Sequence, residues 1–218
     1  MTLKRRTIGM IRATHFGPTV LVVTITFVLA VTQVSTVKAL EIALAILAGQ
    51  CVVGWTNELL DHARDVEAGR SNKPLVNQSV SRLQLQIGVG VALTAAIALS
   101  FLGPLGARGG WIHMLGLASA TAYNFGVKST WFSPLPYAIS FGALPWAIYS
   151  AVHRNPPAWL VIVLILVTVA FHFLNVIKDL EWDLAQQVLG APQRLGKRGS
   201  VLVTGILIIA ALVVLLFR

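Results

Sequence analysis

Apolar runs long enough to cross a bilayer recur along this chain, and they exclude most folds before any motif is read. They fall at roughly 16–34, 39–58, 84–102, 110–126, 134–152, 157–175 and 199–217. Each is near the ~20 residues that a membrane-spanning helix requires. Nothing alternates with a period of two over the length of a barrel strand, so helices are the remaining way to satisfy a backbone in lipid. Composition agrees, with 56% hydrophobic and 11% charged residues, a balance foreign to a soluble domain. The expectation is an all-α, polytopic transmembrane bundle of about seven spans around a central cavity. Residues 1–218 are read as a single membrane-embedded domain.

Net charge is +9. In a soluble protein that would suggest nucleic acid. Here the basic residues lie between apolar runs, so topology accounts for them and no nucleic-acid partner is expected. Thirteen of the 17 Lys and Arg fall in alternate connections: Lys4, Arg5, Arg6 and Arg12; Arg64, Arg70, Lys73 and Arg82; Lys128; and Lys178, Arg194, Lys197 and Arg198. The other side holds Lys38, Arg108, Arg154 and Arg218. The bias puts the N-terminus and the loops discussed below in the cytoplasm. The N-terminus has the basic-then-apolar order of a signal sequence without a clear small-x-small cleavage site, and is read as a retained first helix. Trp111, Trp131, Trp159 and Trp182 fall near span ends as an aromatic belt. Pro134 and Pro136 suit the start of the fifth span, and Pro145 is expected to kink it. Cys51 lies inside a span, with no partner for a disulfide and no Cys/His metal spacing.

The chain has eight acids, and seven lie in or beside two stretches, "NELLDHARD" (57–65) and "NVIKDLEWD" (175–183). Both have the skeleton N-x-x-x-D-x-x-x-D, which hints at two pseudo-equivalent halves. On a helix, positions i, i+4 and i+8 share a face. Asn57, Asp61 and Asp65 therefore form one stripe, and Asn175, Asp179 and Asp183 a second. Carboxylates one turn apart repel, and a helix C-terminus disfavours them further. A divalent cation reverses that balance, and hard oxygen donors in this number suit Mg²⁺ shared with a phosphate-bearing substrate. An acidic helix end merely solvated at the interface is the simpler reading of one motif; two matched copies on one side favour a shared metal–anion site. Arg70 and Lys73 in "EAGRSNKPL", Tyr123 and Lys128 in "YNFGVKST", and Lys178 in the second motif supply charge and contact for a diphosphate. Lys128 ranks first because its loop is otherwise uncharged. His62 lies about 100° off the first stripe, and His172, three residues before Asn175, is placed to point into the same cavity. A polar helix–helix contact is the simpler role for each.

These motifs, in this order, resemble the UbiA superfamily of intramembrane prenyltransferases, as does "RATH" before the first span. The resemblance covers nearly the whole chain. It implies a helical bundle in which two aspartate-rich helix ends bind Mg²⁺ and the diphosphate of a polyprenyl donor, with the tail in an apolar tunnel. An acceptor, a small aromatic or lipid-like molecule, attacks the allylic carbon as diphosphate leaves. By position, Asn57, Asp61, Asp65, Asn175, Asp179 and Asp183 are the implied metal ligands. Asn57, Arg70, Lys73, Lys128, Asn175 and Lys178 meet the diphosphate, and Lys128, Tyr123, Asp61 and Asp179 carry the chemistry. Tyr123, Trp55 and Phe125 are the aromatic faces available to a developing cation. Glu58 stands where the family more often has Asp. The family usually has nine helices against seven here, which leaves open a short variant, a truncated copy, an inactive homologue, or a bundle completed by an oligomer or partner chain. A terpene cyclase of the same superfamily and a divalent-cation transporter are the competing functions. A transporter would place its carboxylates near mid-membrane rather than beside Lys and Arg at helix ends.

Overall fold

The computed structural model describes residues 3–218, and among these residues every regular element is helical. In order they are α1 (Leu3–Ala13), α2 (Phe16–Val31), α3 (Thr36–Glu67), α4 (Arg82–Leu102), α5 (Gly106–Asn124), a 3-10 turn (Val127–Ser129), α6 (Leu135–Ser150), α7 (Ala158–Ile177), α8 (Leu180–Ala185) and α9 (Ala191–Leu216). Each of the seven apolar runs coincides with a helix, α2 to α7 and α9. The protein is an integral, multi-pass membrane protein of all-α class.

The span count differs from the expected seven. Four helices, α3, α4, α7 and α9, are long and apolar enough to cross a membrane alone. A fifth arises only if α1 and α2, bent by 65° at residues 14–15, count as one. Length explains α2 and α6: each has 16 residues, about 24 Å at the usual rise and short of a ~30 Å hydrocarbon core. In α5 it is composition, since Gly106, Gly109, Gly110, Gly116, His113, Ser119 and Thr121 dilute its apolar character.

The long helix α3 is the centre of the packing, touching α2, α4 and α5; α5 continues to α6, α6 to α7 and α7 to α9. Small residues permit close approach, as membrane helices require where lipid removes the hydrophobic drive. Ala30, Ala39, Ile42, Ile46, Leu144, Ala147 and Ile148 form one buried cluster where α2, α3 and α6 meet. The outer faces remain apolar, with Leu202, Ile206, Ile209 and Leu212 of α9 exposed.

Three local features position the site. α3 runs past the apolar segment without a break, so the whole first motif is helical. Pro134 and Pro136 start α6 as expected, and α6 continues through Pro145. α9 turns at Gly196, whose φ of 66° is left-handed, so that the stretch before it folds back toward the motifs while the span lies beyond it.

A candidate diphosphate site at the helix ends

The first motif behaves as its spacing predicts. Asn57, Asp61 and Asp65 project from consecutive turns of α3 and line one cavity of about 170 Å³. Their charge lies toward the C-terminus of the helix, where the macrodipole disfavours it. Cations compensate. Lys128 Nζ donates to both oxygens of Asp61, at 2.6 and 2.7 Å, and Arg64 also pairs with Asp61. Lys73 lies 3.4 Å from Asp65 and Arg70 lies 3.5 Å from it. Burial pushes the Lys128 ammonium down from the usual lysine range, and the Asp61 carboxylate opposes that shift.

The second motif departs from the expected stripe. α7 ends at Ile177, Lys178 caps it, and Asp179 precedes the short α8. Asn175, Asp179 and Asp183 therefore do not share a continuous helix, and the two halves are not mirror copies. All three still line the same cavity. The break puts Asp179 at the N-cap position of α8, without a side-chain capping hydrogen bond, and Glu181 and Asp183 in its first turn, where the N-terminal dipole favours acids. Fewer cations serve this motif. Asp179 pairs with Arg70 at 3.5 Å, and its side chain is 48% exposed. Asp183 accepts a hydrogen bond from Gln193 Nε2 at 2.8 Å. Burial raises the Asp183 carboxyl above the usual range, and the Gln193 bond works against that.

Arg70 joins the motifs, holding Asp65 and Asp179 while its guanidinium lies 5.8 Å from the centre of the Trp182 ring. Glu58 anchors the loop that carries it: 2% exposed, it accepts the backbone N–H of Leu75 at 2.9 Å and lies 3.7 Å from Lys73. It does not line the cavity. A second cavity, about 540 Å³, opens beside this loop and is lined by His15, Arg70, Ser71, Asn72, Lys73 and Trp182 among others.

Of the expected diphosphate contacts, Asn57, Arg70, Lys73, Lys128 and Asn175 line the first cavity. Lys178 does not; it caps α7 with its side chain exposed. Tyr123 lines the cavity, but the other two aromatic candidates do not. Trp55 donates its Nε1–H to Met10 O at 3.0 Å, and Phe125 is exposed. In their place Tyr137 and His172 back Tyr123: His172 stacks on Tyr137 with ring centres 4.5 Å apart, and Tyr123 meets both edge-on. His172 is thus in an aromatic contact, with Ser133 Oγ 3.3 Å from its Nε2. His62 lies outside the cavity. Residues missed in the sequence are His15, Gln193 and Tyr137. Gln193 and Tyr137 carry no local pattern that marks them, whereas His15 closes the "RATH" segment already quoted.

The donor set suits a divalent cation. Four carboxylates and four carboxamides surround one cavity, and Asp65 Oδ2 is buried without a hydrogen bond. Among the described residues no three His, Cys, Asp or Glu side chains are already gathered around one point. Lys128, Arg70 and Lys73 occupy the carboxylates instead, so the residues fit a metal once an anionic ligand draws those cations away.

The chain is thus a multi-pass membrane bundle that pools carboxylates and cations around one small cavity at its helix ends. The UbiA prenyltransferase family model matches residues 18–218, and the chain belongs to that family. Among solved structures it is similar to a UbiA homologue from Archaeoglobus fulgidus bound to Cd²⁺, with a TM-score of 0.79, 12% identity, and coverage of 96% of this chain and 77% of that one. It is also similar to a digeranylgeranylglyceryl phosphate synthase (TM-score 0.70, 13% identity, 96% and 76% covered). A third is the apo UbiA homologue from Aeropyrum pernix K1 (TM-score 0.68, 18% identity, 98% and 78% covered). At these identities the likeness is one of fold. No curated protein matches the sequence.

Proposed function

We propose that this protein is a Mg²⁺-dependent intramembrane prenyltransferase, acting as one domain over residues 1–218. It moves a prenyl group from a polyprenyl diphosphate to a small aromatic or lipid-like acceptor. The observation that carries this reading is the pairing of Asp61 and Asp65 with Lys128, Arg70 and Lys73 around one cavity at the helix ends. Family membership and the phosphate-lipid synthase among the structural neighbours support it.

In the reaction the bond between C1 of the prenyl chain and the diphosphate oxygen breaks, and its electron pair leaves with the diphosphate. The acceptor nucleophile forms its bond to C1 and loses a proton. Asn57, Asp61, Asp65, Asn175, Asp179 and Asp183 are the residues that would hold Mg²⁺. When bound, Mg²⁺ supplies charge neutralisation of the leaving diphosphate. Lys128, Arg70 and Lys73 exchange their carboxylate partners for diphosphate oxygens and stabilise the charge that develops there. The Tyr123 ring, which lines the cavity and is backed by Tyr137 and His172, offers an aromatic surface beside the charges. The loop anchored by Glu58 brings Arg70 and Lys73 to the cavity. The cations in the cavity favour an anionic ligand over a cation path through the bundle.

Membranes containing the protein, given labelled prenyl diphosphates and a panel of acceptors with and without Mg²⁺, are expected to yield a prenylated acceptor and diphosphate only with Mg²⁺. Cyclised hydrocarbon formed without acceptor would favour a cyclase instead. No diphosphate release from any donor would overturn the reading. Orientation has its own check: reporter fusions after residues 70 and 190 are expected to be cytoplasmic, and those near 106 and 154 external.

A further inference from the structure

His15 lies at the break between α1 and α2 with φ 58° and ψ 62°, a left-handed conformation uncommon for a residue with a side chain. The corner is clamped onto α3. Trp55 Nε1–H is donated to Met10 O, Thr19 Oγ1 donates to Thr14 O at 2.7 Å, and Gly54 lets the Thr14 backbone approach. A Cβ at position 54 would come within 2.6 Å of Thr14 backbone atoms. The clamp sets the His15 ring against Asn57, with Nε2 2.8 Å from Asn57 Oδ1. His15 is also among the residues that line both cavities.

The hydrogen bonds around Asn57 fix which atoms face which. Asn124 Nδ2 donates to Val53 O at 2.9 Å, a carbonyl that can only accept. Asn124 therefore turns Oδ1 toward Asn57, which answers with Nδ2 at 3.2 Å. The same Nδ2 donates to Asp61 Oδ2 at 2.9 Å. Asn57 Oδ1 is left facing His15, so His15 must donate through Nε2–H. In the neutral ring Nδ1 then carries the lone pair.

The geometry points to His15 as a positioning residue of the donor site, acting through Asn57 on Asp61. This rests on the proposed reading of the cavity as a diphosphate site. The Nε2–H bond uses one lone pair of Asn57 Oδ1, holds the amide in the orientation that presents Nδ2 to Asp61, and leaves the second lone pair of Oδ1 for a ligand. Without it the Asn57 amide is held from one side only, through the Nδ2 bonds to Asp61 and Asn124, and Oδ1 loses the donor that sets its direction.

The test compares wild type, His15→Leu and His15→Gln, measuring the binding of inorganic diphosphate in the presence of Mg²⁺ by calorimetry on purified protein. Removing an outer partner of a metal-site ligand typically lowers affinity about 10- to 100-fold, and a loss of that order is expected for His15→Leu. His15→Gln is expected to bind close to wild type, because its terminal N–H reaches Asn57 Oδ1. Both variants keep a side chain at the left-handed position, so backbone strain is common to both and the difference reports the hydrogen bond. Independently, ¹⁵N shifts of labelled histidine are expected to show His15 protonated on Nε2 and bare on Nδ1, a bias lost in Asn57→Leu. The proposal fails if His15→Leu binds like wild type, if Gln rescues nothing, or if Nδ1 carries the proton. Wild type that binds Mg²⁺–diphosphate but releases none from any prenyl donor would sink the transferase reading and leave His15 standing. Wild type that binds neither would sink the site reading, and the tautomer then decides His15 alone.

Discussion

The two acid-rich motifs share a sequence skeleton and a cavity, yet they are built by different physics. The first is carried on one unbroken helix, α3, with Asp65 buried at 5% exposure and held by Lys73 and Arg70. Its acids sit where the helix dipole opposes them, and each acid that lines the cavity has a cation as partner. The second straddles the break between α7 and α8 and has one cation, Arg70, on Asp179 and an amide, Gln193, on Asp183. The lesson is that a repeated spacing conserves the donor chemistry without conserving the backbone or the electrostatics. The first motif is a preorganised, charge-balanced wall, and the second is a more open one that leans on it through Arg70.

The sharpest way to break that contrast is to remove the central acid of each motif. Asp61→Ala and Asp179→Ala are both expected to abolish Mg²⁺-dependent diphosphate release. Their stabilities should diverge. Asp61→Ala strands Lys128 and Arg64 and should cost about 3 kcal/mol, in the range for breaking a buried pair. Asp179→Ala removes a half-exposed partner and should stay within about 0.5 kcal/mol of wild type. Equal losses in thermal unfolding would mean that the two walls are energetically alike.

Next come Asn57→Asp and Asn175→Asp. Asn57 donates to Asp61 and Asn124, so an acid there faces another carboxylate at hydrogen-bonding distance. Repulsion near 4 Å at an effective dielectric of ~20 is about 4 kcal/mol before Lys128 and Mg²⁺ offset it. A lowered Mg²⁺ requirement with a raised KM for the prenyl donor is expected. Asn175 has no side-chain hydrogen bond among the described residues, and Asn175→Asp should show the same trend weakly. Identical kinetics for the two would restore the mirrored halves.

Arg70→Met removes the link between the motifs. Diphosphate affinity should fall roughly tenfold, about 1.4 kcal/mol, with a stability change under about 1 kcal/mol because Arg70 is partly exposed. Unchanged calorimetric affinity would show that the motifs act separately.

The smallest effect concerns Asp183. Its folded pKa is raised by burial. Stability from such a group is fully present below its unfolded pKa and is lost as pH rises through the folded value. Asp183→Asn should therefore match wild type in acid and become slightly more stable than wild type toward neutral pH, while binding Mg²⁺–diphosphate less tightly. A stability difference that runs the other way, measured by unfolding across pH, would place the carboxylate in a favourable ion pair instead.

The apolar runs alone determine helices α2 to α7 and α9 and the membrane class, because hydropathy and helical period are properties of contiguous residues; they overcount the helices long and apolar enough to cross a membrane. The acidic spacing likewise makes the first stripe legible, since α3 stays helical from Asn57 to Asp65. What the tertiary structure decides is everything that depends on a partner far along the chain. The break at residues 178–179 overrides the second stripe and puts Glu181 and Asp183 in the first turn of α8. Lys178 carries a charge in the right motif yet caps α7 away from the cavity, whereas Lys128, 67 residues from Asp61, meets it at 2.6 Å. His15 enters the site from a corner clamped by Trp55 and Gly54, and Gln193 enters by the fold-back of α9 before Gly196. Sequence periodicity has no means of encoding such meetings, because their energy exists only once the separate helices are packed.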